Sequence, residues 1–235
     1  MKLENIIYSI REIIKSKGLD SRIDDRMIID LINRYRAFDI KLYWDENRYL
    51  KQEWFSNLGI LTPSIVNSSD DPLIQYTSIT FGKITFPKHV DIPKEQTTFI
   101  RSASKHQRLE EKDQHILFKM IETEDELLKE YIAFFWSGDS IYIYPNQSKI
   151  WASMILSNPL EGITFDELKN YDDIVISAQG TRRNLTIVDE YPICTELAVR
   201  VIIDILTKEF NLEKSSIPDI KIDGADTDEL LKSQI

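Results

Sequence analysis

The sequence predicts an α+β fold: an N-terminal helical hairpin, a central antiparallel β sandwich or barrel-like unit, and a C-terminal helix followed by an extended arm. Over residues 1–50, apolar residues recur at spacings of three and four, the helical period. From about Gln52 the period changes, and short β-type runs follow one another with turn residues, not helices, between them. An aromatic-proline step, Tyr191-Pro192, then launches another amphipathic stretch, and a polar tail comes after it. The expected units are a hairpin over 1–50, a β-rich domain over 51–188, a helix over 189–212 packing with the N-terminal helices, and an arm over 213–235.

The first helix sets Leu3, Ile6, Ile7, Ile10, Ile13 and Ile14 on one face, and Gly18 is placed to end it. The second starts after Ile23, with Asp24 as N-cap and Asp25 adding negative charge to the first turn. Its stripe is Ile28, Leu31, Ile32, Tyr35 and Leu42, extended by Met27, Ile29 and Phe38. The link is short, so the pair should form an antiparallel hairpin. The opposite face of the second helix carries Arg26, Asp30, Arg34 and Lys41, a charged surface and an interface candidate.

Asn57 to Pro63 reads as extended with turns, and Asn67 to Pro72 as a polar break. Ser78 to Phe86, Thr97 to Arg101 and His115 to Met120 read as strands, with Gly82 a bulge or bend. The clearest hairpin joins Tyr131–Trp136 to Ser140–Pro145 through Ser137-Gly138-Asp139. Tyrosine and isoleucine alternate in its second arm, giving one aromatic and one aliphatic face. Lys149 to Leu156 is expected to pair with this hairpin, ended by Asn158-Pro159. Residues 164–188 are mixed, with a helical turn over Phe165 to Asn170 and a loop over Gln179 to Asn184. The C-terminal helix runs from about Thr195 to Phe210 on a stripe of Leu197, Val201, Ile205 and Leu206, with Pro192 outside it. A short helix over Thr227 to Lys232 is the one element expected in the arm.

At 235 residues, 42% apolar, the chain can bury a real core. A net charge of −10 disfavours a nucleic-acid reader, which needs clustered Lys and Arg, although an acidic wall can line a channel through which DNA slides. A single cysteine, Cys194, excludes an intrachain disulfide and fits a reducing compartment. The opening Met-Lys-Leu-Glu-Asn-Ile has no apolar signal-like run, and no stretch approaches the roughly 20 apolar residues of a membrane span.

Chemistry-bearing patterns are few. The seven glycines are scattered singly, so phosphate-loop and dinucleotide fingerprints are absent. His89, His106 and His115 do not stand at helical metal-ligand spacing. The acid pairs Asp24-Asp25, Asp70-Asp71 and Asp172-Asp173 lie at a helix start or in polar breaks, where capping and turn roles are expected. No nucleophile, base and oxyanion element accompany one another, so no enzyme, cofactor or metal is expected. Two basic patches, Arg101-Lys105-Arg108 and Arg182-Arg183, are candidates for contact with DNA phosphate or an acidic neighbour. The aromatics Tyr131, Phe135, Trp136, Tyr142 and Tyr144, together with loop 101–108, leave open a single-stranded nucleic-acid-binding module. Sheet cores and subunit interfaces use the same residues more often.

Several segments, in order along the chain, resemble a known family. They are Ile23 to Ala37, Ile141 to Asn146, Asn158-Pro159, Tyr191-Pro192-Ile193, Leu206 to Phe210 and Ile217 to Ile220. Together they resemble the head-to-tail joining (adaptor or ring) structural proteins of short-tailed Bacteroides-type phages, including the crAss-like phages. Ser102 to Lys129 has no counterpart in that likeness. The resemblance implies a virion protein without a catalytic site, assembled in the host cytoplasm and resident in the phage neck or tail. It implies a cyclic homo-oligomer, usually twelvefold, that sits on the portal protein, receives later tail-ring or tube proteins, lets double-stranded DNA pass, and touches no membrane. It also implies that the arm, with Ile217, Pro218 and Ile220, lies on the portal or on the next subunit.

Overall fold

The computed structural model describes residues 2–18, 23–67, 69, 71–74, 79–103, 109–126, 128, 131–160 and 191–217. Helix α1 (Leu3–Ser16) buries all six residues of its expected stripe. Gly18 follows at φ +68°, the left-handed conformation that closes a helix end most readily with glycine. Helix α2 (Asp25–Asn47) is capped by Asp24, whose carboxylate accepts the Arg26 N–H at 3.3 Å. Ile28, Ile29, Leu31 and Ile32 are buried as expected. Met27 and Phe38 are not in the stripe; they are 48% and 54% exposed. Arg36, Asp39 and Ile40 are buried instead, so the packed face is rotated toward Arg36 and away from Met27 and Phe38.

The middle of the chain is a two-sheet sandwich, not a closed barrel. Strands β1 (Ser56–Leu61), β2 (Ser64–Val66), β3 (Phe81–Thr85), β4 (Thr98–Ser102), β5 (Leu109–Glu111), β6 (Ile132–Ser137), β7 (Ser140–Tyr144) and β8 (Ile150–Met154) divide into two sheets. One is three-stranded, in the order β1-β8-β4; the other is five-stranded, in the order β2-β3-β7-β6-β5. All pairings are antiparallel except β5 with β6. Leu58 bulges out of the β1–β8 register, beside Gly59 at φ +73°. Gly82 does not bend β3: a Cβ there would stand 2.5 Å from Asn146 Oδ1, so glycine permits a close approach.

The predicted hairpin is β6–β7, and its alternation works as read. Ile141 and Ile143 face the core between the sheets, while Tyr142 faces the opposite side. Two expectations fail. Lys149 to Leu156 does not pair with the hairpin: β3 and β6 already occupy both edges of β7 and β5 occupies the far edge of β6, so β8 pairs with β1 and β4 in the other sheet. His115 to Met120 is not a strand but lies in helix α4 (Gln114–Glu122), which follows the short helix α3 (Lys94–Thr97). Asp113 caps α4 by accepting the His115 N–H at 2.8 Å. Leu117 and Ile121, four residues apart, pack on Phe81, Ala133, Phe135 and Tyr142.

The last helix, α5 (Thr195–Lys208), buries Leu197, Ala198, Val201, Ile202, Ile205 and Leu206, and shares one core with α1 and α2. It runs antiparallel to α2, since Arg34 meets Glu209, Asp39 meets Arg200 and Lys51 meets Glu196. Trp54, Val90, Ile92, Ile155, Leu160 and Tyr191 join this helical core to the end of the sandwich. Among the described residues no helix is long and apolar enough to cross a membrane. The elements expected over Phe165–Asn170, Gln179–Asn184 and Thr227–Lys232, and the arm beyond Ile217, lie outside the described residues.

Candidate functional site

Where the helices meet the sandwich, the junction is polar and buried. Arg36, fully buried, donates Nε to Pro192 O at 2.7 Å, Nη1 to Leu156 O at 2.8 Å and Nη2 to Trp54 O at 2.9 Å. Its planar fork thus satisfies carbonyls from three separate segments, and it lies 5.6 Å from the ring centroid of Tyr191. Tyr191 in turn donates its hydroxyl to Asn33 at 2.5 Å, and burial pushes its pKa up to about 12. Residues 33–36 of α2 and the Tyr191-Pro192 step meet here. Leu156 sits just before Asn158-Pro159, and Arg34 and Tyr35 both reach Glu209.

One turn from Arg36, Asp39 is also fully buried, but far less well served. Arg200 Nε stands 3.4 Å from Oδ1, close enough for charge attraction. Neither carboxylate oxygen accepts a hydrogen bond. Burial raises its pKa to about 6, against the pull of Arg200 and with a push from Asp204.

The charged face of α2 is on the surface as expected, with Arg26, Asp30 and Arg34 exposed. Arg34 pairs with Glu209 at 2.7 Å, and Lys41 contacts Asp91. Exposed pairs of this kind hold surface shape more than they add stability. Ile217 is half-buried against the helical core. Lys105, Arg108, Arg182, Arg183, Pro218 and Ile220 lie outside the described residues.

Below Phe38, α2 and the sandwich enclose an open cleft of about 470 Å³, lined by Ala37, Phe38, Lys41, Lys88, His89, Val90, Asp91, Asp139 and Ser157. Burial, helped by Lys94, lowers the His89 pKa and favours the neutral ring. A group of three or more His, Cys, Asp or Glu able to hold a metal does not occur among the described residues.

Of the hairpin aromatics, Tyr131, Trp136 and Tyr144 are half-buried. Phe134, Phe135 and Tyr142 are buried, and Tyr142 stacks on Phe135 with centroids 4.9 Å apart. Tyr142 also donates to Asp71 at 2.5 Å, beside Lys83 at 2.8 Å. Burial pushes the Asp71 carboxyl up, and hydrogen bonds from Lys83, Tyr142 and the Leu73 N–H outweigh it and hold the pKa below the ordinary range. Asp71 therefore has more than the turn role that its polar surroundings suggest.

An exposed aromatic surface lies on the outer face of the three-stranded sheet. Ile60 and Arg101 stand opposite Trp151 on its two sides. Phe99 meets Trp151 edge-on at 5.9 Å, and the Arg101 guanidinium lies 4.5 Å from the Trp151 ring centroid. Ile60 and Phe99 are 44% and 39% exposed. Arg101 was legible as a basic residue; its aromatic neighbours were not. Each phase of β4 holds one large apolar residue, Phe99 or Ile100, and Trp151 stands in the outward phase of β8, so alternation alone gave no outward face. No protein-family model matches the chain, and no curated protein matches it at a significant level.

Proposed function

We propose that this chain is a virion structural protein, a head-to-tail adaptor that assembles as a ring on the portal and connects capsid to tail around the DNA channel. In this reading it is a shape-and-adhesion component of the phage neck, with a twelvefold ring as the expected symmetry and no catalytic role. One observation supports it: two of the segments that resemble the adaptor family, Ile23 to Ala37 and Tyr191-Pro192-Ile193, are joined through Arg36 and Pro192 and through Asn33 and Tyr191.

Two further features support the reading. A closed ring needs two different complementary patches per subunit, and the chain has a charged helical face and a separate aromatic sheet face. A net charge of −10 suits a wall past which DNA moves without binding. The test is copurification of the full chain with the portal protein of the same phage, followed by cryo-electron microscopy of the complex and of virions. Ring density under the portal that fits this fold is expected. Absence of the chain from virions and from portal rings refutes the assignment.

A further inference from the structure

The molecule presents two dissimilar surfaces with no residue in common. One is concave: the cleft beside Phe38, with Ala37 and Val90 in its wall and Asp91 and Asp139 on its rim. The other is the outer face of the three-stranded sheet, where Ile60, Phe99 and Trp151 form a continuous apolar stripe next to Arg101. Exposed clusters of this kind mark interaction surfaces in soluble proteins. Phe38, Ile60 and Phe99 are 54%, 44% and 39% exposed.

Charge selects what can dock there. At −10, two copies repel when they meet through arbitrary faces. The cleft rim is balanced, because Lys41 and Lys88 stand beside Asp91 and Asp139. The Asp91 side chain is 88% exposed, so it can meet a second cation besides Lys41. The sheet face offers that cation, since the half-buried Arg101 holds its guanidinium 4.5 Å from the Trp151 ring centroid. A second copy of this chain thus finds apolar anchors, a balanced rim and an opposite charge at one place.

We infer that the outer sheet face of one copy docks into the Phe38 cleft of the next, with Phe99 and Trp151 against Phe38 and Ala37, and Arg101 toward Asp91 and Asp139. Because the two faces differ, each copy can use both at once, and the contact propagates head to tail. This deepens the ring reading and rests on it for biological setting, while the contact itself is a property of the chain alone.

Sedimentation velocity on the full chain tests it, using Phe38→Asp in the cleft and Phe99→Asp on the sheet face. Both positions are exposed, and circular dichroism confirms that each variant is folded. The wild type is expected to grow in mass with concentration, and each variant to lose association by about tenfold or more, as befits a central apolar anchor. An equimolar mixture of the two variants has one intact junction and should give dimers and nothing larger. Reversing the charges in Arg101→Glu and in Asp139→Arg should weaken association singly and restore it in the double variant.

A wild type that stays monomeric up to its solubility limit overturns the inference. So does a variant that associates like wild type, or a mixture that stays monomeric. If the chain sits under portals and both variants still close normal rings, the inference falls and the adaptor reading stands. If the chain polymerises through these faces but is absent from virions, the adaptor reading falls and the inference stands.

Discussion

Replacing Asp39 with asparagine should make this protein more stable at neutral pH. Asp39 is fully buried between α2 and α5, and neither carboxylate oxygen accepts a hydrogen bond. Its pKa is raised from 3.8 to about 6, mainly by burial. The folded state therefore holds this proton more tightly than the unfolded chain does. The resulting stability is fully present below about pH 4 and is lost as pH rises through about 6. The interval between 3.8 and about 6 corresponds to about 3 kcal/mol of penalty on the ionised form. The replacement amide would be neutral at every pH and nearly the same shape as the carboxylate. At pH 7.5 Asp39→Asn should therefore gain about 2–3 kcal/mol, the pull of Arg200 being already contained in the shift. Urea unfolding followed by tryptophan fluorescence, from pH 4 to pH 8, reads this directly. The quantity that matters is the difference between wild type and variant, because Asp71 titrates in the opposite sense, losing stability as pH falls. That difference should be near zero at pH 4 and grow in favour of the variant up to about pH 7. A variant less stable at pH 7.5, or a difference that does not change with pH, refutes the reasoning.

Other perturbations probe the same architecture. Ile32→Asp puts an unpaired charge where the side chain is fully buried, and should cost about 3–5 kcal/mol, seen as a large fall in melting temperature. Arg36→Met fills much the same space but strands the carbonyls of Trp54, Leu156 and Pro192; a loss of about 3–5 kcal/mol in urea unfolding is expected, and a neutral result means the carbonyls find other donors. Truncation from Ser215 onward removes Ile217 from the edge of the helical core. It should cost about 1 kcal/mol with cooperative melting retained, while assembly on the portal weakens; loss of folded protein contradicts this.

The helices were legible because a 3.6-residue period needs only local information, and α1, with every stripe residue an isoleucine or leucine, leaves no ambiguity. Helix α4 was missed because Ile116-Leu117-Phe118 and Met120-Ile121 form a nearly continuous apolar run, which either period tolerates. Its start signal, Asp113 two residues before His115, was present. The partner of β8 could not be read locally, since strand pairing joins residues far apart, and only the full occupancy of β6 and β7 excludes them. Arg36 and Asp39 fall on the same helical phase as Ile28 and Ile32, so two charges interrupting an apolar stripe were the available sign of the junction. What they bond to was beyond reach, because the carbonyls belong to segments 18, 120 and 156 residues away.

Those separations bear on the order in which the chain matures. Arg36 leaves the ribosome 156 residues before Pro192, the most distant of its acceptors. Until then α2 carries a cation that cannot be dehydrated without penalty, so its packed face stays wet and provisional. The final bond to Pro192 acts as a latch: α1 and α2 settle only once the segment around Pro192 has returned to them.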